Sequence, residues 1–459
     1  MQTITTEKNT YKLVCGMEIH AELKTNSKMF CGCKNDPFGA PEPNIYTCPV
    51  CLGMPGGLPV ANKKAIEWTI KVGLALGCKI NLFSKFDRKN YFYPDLPKSY
   101  QISQYDLPFC YDGVVETSHG PVRITRIHLE EDTGKLHHTT ITDTKVSLID
   151  FNRSSVPLME IVSEPDIKSP EQAKEYAKKI RDLLRYLEVA DCDMDQGGMR
   201  LEANISIAPL TMKTETGELP NYKVEVKNIN SFRFAEQAIG YEMNRQAKIL
   251  DAGETPIQET RGFDSSKTIT FSQRTKEDAQ DYRYFPDPDL PPITFTKKQI
   301  QQIQAQLPEL PSEKIARWKT EYQVEPRYSS LLFESTAAAE ILEDAFKLLQ
   351  KSNQEPNKLA NVLANKKLTT TINKQTANTI TANQLVEKFM SLFAMDTVAE
   401  SEILEAIHTV IEQNQDAVAK YTAGQKQVVG FFMGQTLRQL GKKVDTTELT
   451  RLIAQELEK

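Results

Sequence analysis

Residues 126–135 read Arg-Ile-His-Leu-Glu-Glu-Asp-Thr-Gly-Lys and hold one histidine and three consecutive acids. The run 121–127 before them alternates apolar and polar residues, the period of a strand. Continuing that alternation places His128, Glu130 and Asp132 on one face and Leu129 and Glu131 on the other. Adjacent acids repel one another and persist only when solvated, paired with Lys or Arg, or holding a cation. Hard oxygen ligands suit magnesium, and magnesium points to phosphate chemistry. Taken alone, the stretch reads more simply as a hydrated acidic strand end. In the strand-like run 11–20, Glu18 and His20 also share a face, with Met17 and Ile19 opposite. That pair is ordinary on any half-buried strand and gains weight only if this strand lies near the acidic one.

Cys31-Gly-Cys33 and Cys48-Pro-Val-Cys51 flank a Pro/Gly-rich segment of loop character. Two short-spaced thiolate pairs can close a tetrahedral site, the usual arrangement of structural zinc. A catalytic zinc keeps an open position and recruits His or Glu, so Cys31, Cys33, Cys48 and Cys51 are expected to hold a structural ion. The alternative is four buried free thiols. Cys15, Cys78, Cys110 and Cys192 are scattered and read as small hydrophobes.

The elements that must position these groups follow from periodicity. Residues 199–207 alternate cleanly, with Leu201, Ala203, Ile205 and Ile207 on one face and Arg200, Glu202, Asn204 and Ser206 on the other. Residues 222–228 repeat the design, with Val224 and Val226 inward and Lys223, Glu225 and Lys227 outward. An antiparallel sheet with one apolar and one polar face gives this signature. Strand-like runs flank 152–155, and helices are expected at 62–77, after Ser169-Pro170-Glu171-Gln172, and at 232–252 before Gly253. Residues 85–104 have neither helical nor strand period. They interleave Lys and Arg with Tyr and Phe, which suits phosphates and stacked bases, or else a surface loop pinned by its rings. A proline-rich stretch ends this region near 293. Beyond it helix patterns dominate: 296–306, 312–322, 336–351, 382–394, 400–414, 424–440 and one from 446. The Lys/Asn/Thr-rich run 365–381 reads as a flexible or irregular link.

The chain has 459 residues, enough for two or three domains, with 40% hydrophobic and 25% charged residues. A net charge of -5 gives no whole-chain basic field, so any nucleic-acid partner must be held by local cationic patches or by another subunit. No apolar run reaches membrane-spanning length and residues 1–10 lack a secretory core, so a cytoplasmic protein with no membrane contact is expected. No Walker motif is present, which excludes a P-loop kinase.

These stretches together resemble the B-subunit family of the tRNA-dependent amidotransferases. The resemblance rests on residues 16–25, 85–104, 126–135, 157–166, 200–207, 226–232 and 281–286, spread over nearly all of 11–293. The cysteine quartet resembles the zinc-binding members. The resemblance implies an α+β fold: an antiparallel-sheet catalytic cradle, glutamine synthetase-like, then an all-helical domain and a small helical tail. The expected divisions are 1–293 with a zinc insert at 31–51, 294–395, and 396–459 contacting tRNA. It also implies an ATP- and magnesium-dependent ligase. The side-chain carboxylate of misacylated Glu-tRNA(Gln) or Asp-tRNA(Asn) would be phosphorylated, then amidated by ammonia channelled from glutamine hydrolysed in a partner A subunit, within a heterotrimer that includes a C subunit. Carried over by position, Glu18, His20 and Glu130 match metal-site residues, with Glu131 beside them. Glu202 stands where the family has Asp, keeping the charge on a longer arm. Lys89, Arg200 and Lys227 are the candidates to neutralise phosphate charge. Two other readings stay open: a non-catalytic RNA-binding scaffold, for which Glu18, His20 and Glu130 need not converge, and a stand-alone ligase for a small acid.

Overall fold

A computed structural model describes residues 2–214, 217–275, 281–332, 335–366, 368, 380–392 and 398–459. The chain forms two compact units, Met1–Glu321 with Ser329–Ala339, and Tyr322–Tyr328 with Glu340–Lys459. The strands of the first unit are β1 (Thr3–Thr5), β2 (Thr10–Glu22), β3 (Lys79–Ile80), β4 (Phe83–Ser84), β5 (Asp87–Asn90) and β6 (Tyr100–Ser103). They continue with β7 (Cys110–Thr117), β8 (Gly120–Glu131), β9 (Lys135–Ile141), β10 (Thr144–Asp150), β11 (Pro157–Ser163) and β12 (Met199–Pro209). The last are β13 (Val224–Ile229), β14 (Glu259–Asp264), β15 (Ile269–Thr275), β16 (Phe285–Pro286) and β17 (Ile293–Thr294).

One large sheet, in the order β15-β14-β13-β12-β2-β11-β8-β7-β3, is antiparallel except for the β13/β14 pair; β1 adds to the start of β2. Its apolar face is set by register. Ile19 lies opposite Ile161 and Leu201, Ala21 opposite Met159 and Met199, and all are fully buried. The alternate positions give the polar face, because side chains on a strand point to opposite sides in turn.

Helices α1 (Lys63–Ala75), α2 (Pro170–Tyr186) and α3 (Phe232–Asp251) pack on this sheet. Asn62 caps α1 by accepting the amides of Lys64 and Ala65. Ser169 caps α2 by accepting the Gln172 amide, and Ser231 caps α3 by accepting the Phe234 amide. Gln172 reaches back to the Lys168 amide, one residue before the cap, and so completes a shifted version of the expected capping box. Buried Ala173, Tyr176, Ala177, Ile180 and Leu184 form the apolar stripe of α2.

The segment 85–104 departs from the expected irregular loop. Its ends pair as β5 and β6, and β16 adds to β5 to make a three-stranded sheet. The pairing partner at 285–286 lies about two hundred residues away, so no local period announces it. The hairpin β9–β10 stands apart as a two-stranded sheet.

After β17 the first unit continues with α4 (Lys297–Gln304) and α5 (Pro311–Glu321). The remaining helices are α6 (Pro326–Ser329), α7 (Thr336–Lys351), α8 (Pro356–Ala364), α9 (Ala382–Ser391), α10 (Glu400–Gln413), α11 (Gln415–Thr422), α12 (Val429–Leu440) and α13 (Thr446–Leu457). In the second unit α10, α12 and α13 close over a core of Ile407, Val410, Phe432, Leu449, Leu452 and Ile453. α8 and α11 have no counterpart in the sequence expectation, and the expected helix 424–440 begins instead as a 3-10 turn at Lys426–Val428. Most of the expected link at 365–381 lies outside the described residues.

Candidate active site

The polar face of the sheet forms the floor of a cavity of about 380 Å3. Three adjacent strands, β12, β2 and β11, form its centre, and β8, β13 and β5 add charge at its edges. On β2, Glu18 faces Glu202 of β12, and His20 faces Arg200 of β12 on one side and Glu160 of β11 on the other. His128 of β8 lies opposite Glu160 in turn. The strand bearing Glu18 and His20 and the acidic strand β8 are therefore separated by β11 alone.

Register sorts the acids into two clusters, each able to present ligand atoms within 4.8 Å of one another: His20 with Glu130 and Glu160, and Glu18 with Glu202 and Glu225. Of the expected magnesium ligands, Glu18 thus lies in one group, and His20 and Glu130 in the other. Glu131 joins neither. Its buried carboxylate is taken up by Lys98 at 2.7 Å and by the Ile102 amide at 3.0 Å.

Glu160 is the hub of the first cluster. Its carboxylate lies 2.9 Å from His128 Nε2 and 3.3 Å from His20 Nε2. Burial opposes charge on both imidazoles, but the Glu160 carboxylate overrides it and lifts each to about 9. The same contacts hold the Glu160 carboxyl well below its ordinary range despite burial. In the second cluster burial, then Glu160 and Glu202, push the Glu18 carboxyl up, while Asn204 donates to it at 2.7 Å. Lys227 bridges Glu202 at 2.9 Å and Glu225 at 3.4 Å.

Four cations border the acids: Lys89, Arg126, Arg200 and Lys227. Arg200 is tied to buried Asp132 at 2.7 Å, and this pairing keeps the Asp132 carboxylate ionised against the cost of burial. Among the described residues Lys89 and Arg126 are in no ion pair with an acid, which leaves their charge available to an anion. Lys89 lies beside two rings, with Nζ 5.0 Å from the centre of Tyr282 and 5.9 Å from that of Tyr91. Tyr105 and Tyr284 stack at 4.4 Å on the same cavity wall. A second cavity of about 750 Å3 shares Tyr91 with it and is lined by Phe92, Lys98, Tyr100, Arg283 and Phe285.

Sequence reasoning left out Glu160, His128, Glu225 and Arg126 as site residues. Glu160 had one local signal, a lone acid inside the apolar run Pro-Leu-Met-Glu-Ile-Val. Glu225 had none beyond strand alternation.

The cysteines meet as expected. Cys31, Cys33, Cys48 and Cys51 present sulfurs within 4.8 Å of one another, and the Cys48 and Cys51 sulfurs are 3.9 Å apart. A tetrahedron with metal–sulfur bonds of about 2.3 Å has edges of about 3.8 Å, so the spacing and the all-sulfur donor set fit zinc. Cys51 is held down to about 5 by hydrogen bonding from Cys31, against burial and with help from Lys28. Cys15, Cys78, Cys110 and Cys192 are buried free thiols.

Residues 13–301 match the family described as the GatB/GatE catalytic domain, and residues 329–457 match the GatB domain. The chain is 45% identical to the B subunit of the aspartyl/glutamyl-tRNA(Asn/Gln) amidotransferase of Thermodesulfovibrio yellowstonii, over 96% of this chain and 98% of that one. It is 42% identical to the B subunit of the same name from Thermomicrobium roseum, over 98% and 99%. The polar sheet face and its flanking segments fall inside the first of these matches, and the chain belongs to the B-subunit family of the aspartyl/glutamyl-tRNA(Asn/Gln) amidotransferases.

Proposed function

We propose that this chain is the subunit that activates and amidates the side-chain carboxylate of Glu or Asp on misacylated tRNA, as the C–N-bond-forming ligase component of a glutamine-dependent amidotransferase. The observation that carries the reading is the pairing of two carboxylate clusters on one sheet face with four cations around the same cavity. Carboxylates alone would repel both ATP and an acidic substrate. Cations alone would bind phosphate but could not hold a divalent ion.

Magnesium, bound through Glu18, Glu202 and Glu225 or through Glu130, Glu160 and His20, would supply charge neutralisation for phosphoryl transfer. The donor set fits it, since five of the six ligand groups are carboxylates. Around it, Lys89 and Arg126 offer positive charge for the transferred phosphate, and Arg200 and Lys227 for its neighbours. The Tyr91, Tyr282 and Tyr284 rings wall the pocket and lower its dielectric. Ammonia from a partner A subunit would then displace phosphate to give the amide. The polar face and its helices would form the glutamine synthetase-like cradle, 1–293, with a structural zinc in the insert 31–51. Residues 294–395 would form the helical domain, and the tail 396–459 would meet tRNA. The working assembly would be a cytoplasmic heterotrimer with A and C subunits.

The test supplies the assembled complex with ATP, magnesium, Glu-tRNA(Gln) and ammonium chloride in place of glutamine. Amide formation should require ATP and should fall at least about a hundredfold in Glu130→Gln, some 3 kcal/mol of lost transition-state stabilisation. tRNA binding without amide formation would favour an RNA-binding scaffold. Turnover of a free small acid without tRNA would favour a stand-alone ligase.

A further inference from the structure

Lys28 is completely buried, a rare state for a lysine. Its ammonium donates to Cys51 Sγ at 3.9 Å and to the Phe151 carbonyl at 3.2 Å. One end of this bridge is the cysteine cluster. The other is the turn 151–156 between β10 and β11. The turn is fastened to the same cysteine loop again, because Ser154 Oγ donates to the Cys51 carbonyl at 3.0 Å. The Met29 amide, next to Lys28, donates to the Ser155 carbonyl at 2.7 Å.

The same turn carries Arg153. Its guanidinium donates to the carbonyls of Thr133 at 3.0 Å and Gly134 at 2.9 Å, and it lies 3.8 Å from the Asp132 carboxylate. The packing at Gly134 is tight, since a Cβ would stand 3.0 Å from the Phe151 ring and 3.2 Å from the Asp150 and Asp95 carbonyls. The Asp132 backbone is tied to the turn on both sides, through the Ser155 amide at 2.9 Å and the Val156 carbonyl at 2.8 Å. Asp132 in turn holds Arg200 in the cavity at 2.7 Å. A continuous set of contacts therefore runs from the cysteine sulfurs to a cation of the pocket.

We infer that Lys28 is a positioning residue that joins the cysteine cluster to the carboxylate pocket: it offsets the negative charge of the four thiolates and fixes the turn that, through Arg153 and Asp132, places Arg200. A tetrathiolate zinc site carries a net charge of minus two, and a buried ammonium against one sulfur removes half of it. This inference rests on the pocket reading above and on zinc as the bound ion.

The experiment uses the full chain assembled with its partner subunits. Zinc transfer to a chromogenic chelator and the Kd for MgATP are measured in wild type, Lys28→Met, Arg153→Gln and Arg200→Gln. Lys28→Met should release zinc about tenfold faster and Arg153→Gln should not. Both should raise the MgATP Kd about tenfold, as a loosened charge-assisted contact would. A wild-type Kd in Lys28→Met, with Arg200→Gln impaired, overturns the coupling alone. A wild-type Kd in Arg200→Gln overturns the pocket reading, and the inference with it. If Lys28→Met does not fold, wild type stripped of zinc gives the same decision: a raised MgATP Kd supports the coupling and an unchanged one refutes it.

Discussion

Replacing Glu160 by Gln removes one negative charge and almost no volume, and its consequences can be worked from distances. The carboxylate lies 2.9 Å from His128 and 3.3 Å from His20. At an effective dielectric near 20, unit charges that close attract by about 5–6 kcal/mol each. Burial opposes most of this. The net result, imidazoles at about 9 instead of 6.5, corresponds to roughly 3 kcal/mol of preference for the protonated form of each ring. Without the Glu160 charge, burial should dominate and both rings should titrate below about 7, held up only by Glu130 and, for His20, by Glu202 as well. The chain has six histidines, so histidine-labelled protein in EDTA gives a resolvable NMR titration. Wild type should show two rings titrating near 9 and the variant none. Amide formation should fall by about a hundredfold, as expected if Glu160 also helps to hold the cation. Two rings still titrating near 9 in Glu160→Gln would refute the account of the cluster, and full activity would remove Glu160 from the site.

Other expectations follow from the same geometry. His20 and His128 have folded pKa values raised above the unfolded one, so their contribution to stability is complete below about pH 6.5 and lost as pH rises through about 9. The melting temperature of metal-free protein should therefore fall between pH 7 and pH 9.5, and a flat profile by calorimetry would contradict the sign. Cys48→Ser should abolish stoichiometric zinc by metal analysis and lower the melting temperature, whereas Cys192→Ser should leave zinc unchanged. Glu242 is fully buried and receives Arg245, Arg261, Gln246 and Thr270. Glu242→Leu should cost about 2–3 kcal/mol in urea unfolding by leaving Arg245 and Arg261 to share Glu259, with the MgATP Kd unaltered in protein that remains folded. Lys89→Met should raise the KM for ATP more than tenfold, and loss of only kcat would place Lys89 on the transferring group rather than on bound nucleotide.

The parts of the site that were legible in sequence are those where strand alternation and side-chain chemistry coincide. Glu18/His20 and Arg200/Glu202 each occupy alternate positions between apolar residues, so their shared face could be read directly. The cysteine quartet was legible for a different reason: two short-spaced pairs need little from the rest of the fold. Glu160 and Glu225 were missed because their meaning comes from pairing. Glu160 becomes a hub only when His20 and His128, 108 residues apart in sequence, flank it on neighbouring strands. The segment 85–104 failed similarly, since its strands are completed by Phe285–Pro286. Helix termini were read well where a side chain caps them, at Asn62, Ser169 and Ser231. The uncapped helices Pro356–Ala364 and Gln415–Thr422 gave no such signal.

The order of the strands across the sheet also fixes when the pocket can exist during synthesis. The charged residues of its floor reside on β2, β8, β11, β12 and β13, and β2 finds its last neighbour only when residues 199–209 have been made. A nascent chain that has emerged only as far as β11 has both histidines and Glu160 but lacks Glu202, Arg200, Glu225 and Lys227. It would present buried-type acids with half of their countercharge missing. Residue 229 is thus the threshold for the charged floor, and the wall waits longer, for Tyr282 and Tyr284, so the pocket is complete only when more than half of the chain has left the ribosome.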